Sequence, residues 1–305
     1  MRPVFLLVLS AVLAGCSQQS PTEFPAPQGE LYADLSPELQ AAVRSELVRL
    51  CGTYAEPKLL SDESVSLQHL QHGQRVYETN CAQCHGSAGD GEGPAARHLY
   101  PKPRNYQPGI FKFTSTPYGA KPLRDDLVRT VKRGIHGTSM PSFRLLPEQD
   151  IEAVVDYVLV LTHRGEIEER LVVFADFEEE LDPELVQEEV VDLVLERWAT
   201  ARERVVMPAT PQPEFTAEHA RLGRAAFLDR GCSKCHGDDG RAQTAEDPSK
   251  VDAWGNRTRP ADLTSGMLRG GQEPLDVYRR IYAGINGTPM PAFDQALKDE
   301  PETIW

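Results

Sequence analysis

An internal repeat is the feature that most constrains the fold of this 305-residue chain. Residues 134–143 read GIHGTSMPSF and residues 284–293 read GINGTPMPAF, identical at seven of ten positions. A Cys-x-x-Cys-His motif precedes each phrase, as CAQCH at 81–85 and as CSKCH at 232–236. His85 to Met140 is 55 residues and His236 to Met290 is 54. The spacing predicts two copies of one small domain.

The parts around these motifs also recur in the same order. An amphipathic helical segment comes before each motif, with Gly73 and Tyr77 in the first copy matched by Gly223 and Phe227 in the second. A glycine-rich loop, a proline-bearing segment (PKPRNY or TRPADL) and a short helix follow before the repeated phrase arrives. The pattern predicts an all-α fold of two similar domains.

Cys-x-x-Cys-His is the attachment motif of c-type haem, whose vinyl groups take the two thiols while the histidine binds the iron. The expected residues are Cys81, Cys84 and His85 in the first copy and Cys232, Cys235 and His236 in the second. A zinc ribbon would place its cysteine pairs about 15–20 residues apart, whereas these lie 151 apart. A thioredoxin-like redox pair would need a βαβ context that is not visible. We therefore interpret the two motifs as attachment sites for two c-type haems.

The repeated phrase predicts the second axial ligand of each haem. A methionine thioether is a soft ligand for haem iron, and the proline after it restrains the loop. We therefore assign Met140 and Met290 to this role, although a single methionine is more often an ordinary core residue. His136 is not a shared ligand, because its counterpart is Asn286. The remaining histidines are expected at the surface: His69, His72, His98, His163 and His219.

The N-terminal segment has the form of an export signal. Residues 1–15 contain one Arg and an apolar run that is too short to span a bilayer. The sequence LAGC ending at Cys16 resembles the lipobox of bacterial lipoproteins, which implies that Cys16 becomes the lipidated first residue. Residues 16–29 then form a polar tether. Cys51 has no evident partner and is expected to be a small buried hydrophobe.

These motifs together resemble class I cytochromes c of the tandem dihaem type from bacterial respiratory chains. The resemblance covers residues 66–163 and 215–305. It implies that the first and last helices of each domain cross and that each haem lies in an apolar crevice. In the first copy the closing helix begins near Pro147, and its Tyr157 is expected to meet Gly73 and Tyr77. The second copy has no counterpart of this helix, so we expect either a fragment or a domain completed by other means.

Two further segments lie outside the repeats. Residues 30–65 predict a helical extension packed on the first domain. Residues 164–214 predict a helical connector, and its stretch 166–204 carries 14 acidic and 4 basic side chains. By contrast, residues 97–133 hold nine Lys or Arg against two Asp. A basic rim of this kind near the first haem could steer an acidic redox partner into contact.

The expected function follows from these assignments. The net charge of −14 argues against nucleic acid as a partner. We expect a lipid-anchored, periplasmic electron carrier that exchanges single electrons with redox proteins, such as a terminal oxidase or an upstream quinol-oxidising complex. One alternative is a dihaem peroxidase, which would need an open iron. The other is a fixed cytochrome subunit of a larger oxidase or dehydrogenase.

Overall fold

The computed structural model describes residues 22–178, 180–243, 247 and 249–305. The all-α prediction is confirmed: 48% of the chain is helical, and the described residues contain no strand. Eleven α-helices lie in this part of the chain: α1 Glu30–Asp34, α2 Pro37–Cys51, α3 Leu67–Asn80, α4 Ala82–His85, α5 Arg124–Arg133, α6 Glu148–Phe177, α7 Pro183–Val186, α8 Leu193–Ala199, α9 Ala217–Asp229, α10 Ser233–His236 and α11 Pro274–Tyr282. A π-helical stretch, Gln187–Asp192, joins α7 to α8. The predicted signal peptide 1–15 and Cys16 lie outside the described residues.

Helices α3 and α6 form the core of the first domain. α3 begins at Ser66, whose hydroxyl accepts a hydrogen bond from the backbone N–H of His69 at 3.2 Å and so caps the helix. Where α3 and α6 cross, Gly73 lies against the Ala153 carbonyl, and the Tyr77 and Tyr157 rings are 5.5 Å apart. The expected contact of Tyr157 with Gly73 and Tyr77 is therefore confirmed.

Helix α6 is longer than the closing helix that the sequence suggests. Its 30 residues continue through position 163 into the region interpreted as the connector. The N-terminal half packs on α3, and the C-terminal half packs on α2 and the π-helical stretch through Val43, Leu47, Ile167, Leu171 and Val190. The N-terminal extension thus contacts the connector half of α6, because both present an apolar stripe there.

The environment of α6 corrects one surface assignment. His163 is 1% exposed, and its ring lies edge-on to Trp198 with 4.9 Å between ring centroids. Burial, together with a smaller effect of nearby Lys121, lowers the pKa of His163 to about 3, so this side chain is neutral. Of the other histidines assigned to the surface, His98 and His219 are exposed, while His69 and His72 reach carboxylates on α6.

The second domain begins with a helix, α9, that is equivalent to α3 of the first domain, but α9 is less buried. Thr216 caps α9 by accepting from the backbone N–H of His219 at 3.3 Å, as Ser66 caps α3. No residue of α9 is buried, and a Cβ on Gly223 would meet nothing within 4 Å. A separate core forms where Tyr278 of α11 packs with Val206, Leu297 and Ile304.

No helix among the described residues is both long and apolar enough to cross a membrane.

Candidate functional site

His85 is held by the shortest α-helix of the first domain. It ends α4, where Gly86 adopts a φ of 74° and turns the chain away. The His85 Nδ1–H donates to the backbone carbonyl of Arg104 at 3.0 Å. Burial lowers the pKa of His85, against the effect of that hydrogen bond, so the ring stays neutral. A neutral ring with Nδ1 occupied leaves the Nε2 lone pair free to bind a metal ion.

His236 is arranged in the same way in the second domain. It ends α10 before Gly237, which has a φ of 74°, and its Nδ1–H donates to the carbonyl of Ala261 at 3.0 Å. Both acceptors, Arg104 and Ala261, directly follow a proline. Sequence reasoning noted the two proline-bearing segments but did not assign them this role. The signal that could have indicated this role is that both segments occupy the same place in the repeat.

The glycine-rich loops close over each histidine through matched hydrogen bonds. The Gly91 N–H donates to the His85 carbonyl at 2.9 Å, and the Ala242 N–H donates to the His236 carbonyl at 2.7 Å. Both residues adopt positive φ, 80° for Gly91 and 56° for Ala242. The two domains therefore share a backbone conformation even where the residue types differ.

The cysteine thiols lie beside the histidines on the same helical turn. In the first domain the Cys84 N–H donates to the Cys81 carbonyl at 3.0 Å, and the matching bond between Cys235 and Cys232 is 3.2 Å. None of these four cysteines is in a disulfide, and all four are half-buried. Burial raises the pKa of Cys81 to about 12, so that side chain is a thiol. Among the described residues no three His, Cys, Asp or Glu side chains are grouped to hold a metal ion, as a zinc ribbon would require.

The two methionine loops have one conformation. Ile135 N–H donates to the Met140 carbonyl at 3.1 Å, and Ile285 N–H donates to the Met290 carbonyl at 3.2 Å. Thr138 and Thr288 both use their Oγ1 to donate to the isoleucine carbonyl at 2.8 Å and to accept from the methionine N–H at 3.2 Å. These bonds fix the backbone that carries each thioether.

Glycine is required at the start of each loop. Gly134 and Gly284 adopt φ of 67° and 65°. A Cβ at Gly134 would lie 2.5 Å from the Pro141 carbonyl, and one at Gly284 would lie 2.7 Å from the Met290 carbonyl oxygen. The recurring Gly of the repeated phrase is thus explained by backbone geometry.

The donor set of each domain fits a c-type haem. Such a haem is held by two thiols, an imidazole and a thioether. Each domain has two thiols on one helical turn, an imidazole whose Nδ1 is hydrogen-bonded, and a thioether on a hydrogen-bonded loop. When bound, the haem supplies one-electron redox chemistry. Sequence reasoning named the side chains of this set, while the structure adds the carbonyl groups that orient the histidines.

The two sites differ in how well they are enclosed. In the first, the Tyr77 hydroxyl donates to the Gly86 carbonyl at 2.8 Å, and Tyr106 donates to the Tyr77 hydroxyl. Tyr106 is 5% exposed, whereas Leu263, which makes the matching backbone bond in the second domain, is 40% exposed. The second site is the more open of the two.

The prediction that residues 97–133 form a basic rim free to dock a partner is wrong. Seven of its nine cations are already paired with carboxylates, and the contacts are Arg104 and Lys112 with Asp252, Lys121 with Glu166, Arg124 with Glu152 and Asp156, Arg129 with Asp126, Lys132 with Glu148, and Arg133 with Asp276. Asp252 and Asp276 belong to the second domain. Three of the nine cations, Arg104, Lys112 and Arg133, therefore join the two domains to each other.

The fold and the donor set define a c-type cytochrome. Residues 68–158 match the family described as Cytochrome C oxidase, cbb3-type, subunit III. The chain also matches a chain of the Kuenenia stuttgartiensis reducing HAO-like protein complex, with 31% identity and a TM-score of 0.60, covering 77% of this chain and 92% of that one. None of the curated proteins compared with it matches. The chain belongs to the cytochrome c family.

Proposed function

We propose that this chain is a dihaem cytochrome c that passes single electrons through two haems. The observation that carries the proposal is that the hydrogen bonds of the histidines, of the glycine-rich loops and of the methionine loops recur in both sites. A single Cys-x-x-Cys-His motif is moderately specific for c-type haem. A second copy with the same hydrogen bonds makes a chance match far less plausible.

Each group has a defined role in this proposal. Cys81 and Cys84 would hold one haem covalently, and Cys232 and Cys235 would hold the other. His85 and His236 would each supply an imidazole to the iron, and Met140 and Met290 would each supply a thioether. The backbone hydrogen bonds around these side chains hold the histidines and the methionine loops in place, and a bound haem would supply the one-electron chemistry. Histidine and methionine ligation favours a high reduction potential.

Haem content and ligation test the proposal directly. The full chain, matured in a host that attaches c-type haem, is expected to carry two haems and to take up two electrons. The ferric protein is expected to show the weak long-wavelength sulfur-to-iron band, and Met140→Ala and Met290→Ala should each remove part of it. One haem per chain, or a bis-histidine spectrum in the unmodified protein, would overturn the assignment.

We further propose a periplasmic position, with the mature chain anchored through an acylated Cys16. The proposal rests on the form of residues 1–15 and on the LAGC sequence. Mass spectrometry of the mature N-terminus checks it, because acylation adds a defined mass to Cys16. An unmodified N-terminus at or beyond this residue would remove the anchor. Redox partners in a respiratory chain would then be reached from the membrane surface.

The similarity to a chain of a larger complex favours a second candidate, a cytochrome subunit held permanently by an oxidoreductase. The matching chain is one part of the reducing HAO-like protein complex of Kuenenia stuttgartiensis. Purification of a tagged full chain from its native membranes distinguishes the two. A stoichiometric partner that resists high salt supports the subunit, whereas a chain recovered alone and reduced by soluble donors supports the carrier.

A further inference from the structure

The second domain contains an insertion that reaches the first site. The distance along the chain from the haem-motif histidine to its carbonyl acceptor is 19 residues in the first domain and 25 in the second. The loop 250–258 lies in this longer segment. The extra residues have no counterpart in the first domain, and the longer segment contacts that domain through Trp254 of this loop.

Asp252 makes this loop rigid. Its Oδ1 accepts from the backbone N–H groups of Trp254 at 3.1 Å and Asn256 at 2.9 Å. The loop is closed by hydrogen bonds from the Asp252 N–H to the Asn256 carbonyl at 2.8 Å and from the Thr258 N–H to the Lys250 carbonyl at 2.9 Å. The Trp254 ring is thereby held in a fixed direction.

Trp254 lies on the backbone segment that orients His85. Its Nε1–H donates to the Asn105 carbonyl at 2.8 Å, and the Arg104 guanidinium lies over its ring at 3.5 Å from the centroid. The other carboxylate oxygen of Asp252 pairs with Lys112 at 3.2 Å and Arg104 at 3.6 Å. Arg104 is the residue whose carbonyl accepts from His85, so the second domain holds the acceptor of the first domain's histidine.

The same tryptophan also lies against the methionine loop of its own domain. The Ala253 N–H donates to the Gly287 carbonyl at 2.9 Å. A Cβ on Gly287 would lie 2.7 Å from Trp254 Cη2, whereas a Cβ on Gly137, the equivalent glycine of the first loop, would meet its nearest neighbour at 3.9 Å. Trp254 therefore fills the space beside the loop that carries Met290, whereas the nearest neighbour of Gly137 in the first loop is the more distant Met267.

We propose that Trp254 couples the two haem sites by positioning the acceptor of His85 on one side and the Met290 loop on the other. This inference rests on the proposed function. A displacement of the Met290 loop moves the surface against which Trp254 is packed, and Trp254 transmits it to the Arg104–Asn105 backbone. The arrangement is asymmetric, because the nearest side chain to Gly137 in the first methionine loop is that of Met267, at 3.9 Å, whereas Trp254 lies in direct contact with Gly287.

The test is a potentiometric titration of the full dihaem protein followed by visible spectroscopy. Met140→His and Met290→His variants identify which midpoint potential belongs to which haem. Trp254→Ala is expected to shift both midpoint potentials. Trp254→Phe keeps a ring for Arg104 and Gly287 but loses the Nε1–H, and a smaller shift at the first haem is expected.

A glycine pair tests the asymmetry. Gly287→Ala and Gly137→Ala place an alanine on backbones with similar φ of 68° and 70°, and only the methyl group at position 287 also meets Trp254. Each variant should perturb the haem of its own domain. Only Gly287→Ala should also shift the other domain's haem. Shifts confined to the second haem in Trp254→Ala, Trp254→Phe and Gly287→Ala would overturn the coupling. The haem content of the unmodified protein, measured beforehand, tests the proposed function independently.

Discussion

Gly73 of α3 lies so close to the Ala153 carbonyl of α6 that a Cβ at this position would be 2.0 Å from the oxygen. The contact lets the two helix backbones approach directly. Gly223, its counterpart on α9, has open space where the Cβ would be. One glycine is therefore required by packing, and the other is not.

Gly73→Ala is expected to destabilise the first domain by about 3 kcal/mol or more, because a backbone carbonyl cannot yield to the added methyl group. Gly223→Ala is expected to be neutral or to stabilise α9 by up to about 1 kcal/mol, the usual helical preference of alanine over glycine. Urea unfolding of the haem-loaded full chain measures both. Equal effects would show that the α3–α6 contact is not as close as described.

The sequence predicted the features that depend on local pattern. The repeat, the all-α class, the contact of Tyr157 with Tyr77 and the parts of both candidate sites could be read from spacing and helical periodicity. These features recur within short windows of the chain, where residue type alone carries the signal.

The features that sequence reasoning missed depend on contacts between distant segments. His163 follows apolar positions on α6, but its burial results from Trp198, which lies 35 residues later. The cations of residues 97–133 form a positive stretch in the sequence, and their partners Asp252 and Asp276 lie in another domain. Charge counting along the chain cannot show which charges are neutralised in space.

A second matched pair concerns the glycine-rich loops. Ala242 adopts a φ of 56° at the position where the first domain has Gly91. The left-handed conformation costs an L-residue about 1–2 kcal/mol, and glycine loses about 0.5–1 kcal/mol through chain entropy. Ala242→Gly is therefore expected to stabilise the second domain by roughly 0.5–1 kcal/mol.

The reverse change provides the control. Gly91→Ala should destabilise the first domain more strongly than the φ penalty alone, since its Cβ would lie 2.9 Å from both the Asn105 nitrogen and the Pro103 carbonyl oxygen. Thermal unfolding of each variant gives the comparison. A loss of stability in Ala242→Gly would refute the strain at this position.

Buried His163 makes stability depend on pH. Neither of its ring nitrogens has a hydrogen-bond partner in the described part of the chain. The pKa of about 3 lies below the ordinary value of 6.5, so between these pH values the unfolded chain binds a proton that the folded chain does not. Stability therefore falls as the pH decreases from about 6.5, by about 1.4 kcal/mol per pH unit for this one group.

His163→Leu removes both the titration and the unpartnered ring nitrogens. The variant is expected to be about 1–2 kcal/mol more stable than the unmodified protein at neutral pH. Its stability should also decline less steeply between pH 6 and about 4, by the contribution of one proton. Urea unfolding at a series of pH values measures both effects. Parallel curves for the two proteins would mean that His163 is not buried in its neutral form.

Two ion pairs of the basic stretch should differ widely in their contribution to stability. The Asp252 side chain is 5% exposed and faces both Arg104 and Lys112, whereas Glu148 is 63% exposed and pairs with Lys132. Asp252→Asn retains an oxygen for the loop N–H groups but leaves two cations side by side. Its expected cost is roughly 3 kcal/mol.

Glu148→Gln removes a carboxylate in the same way from an exposed pair and should cost less than about 1 kcal/mol, because water and salt already screen it. Unfolding at low and high salt compares the two variants. The Asp252→Asn loss should persist at high salt, since the buried pair is screened little. If this loss is as small and as salt-sensitive as that of Glu148→Gln, then the charges between the domains are solvated and the first domain's cations are free to meet an external partner.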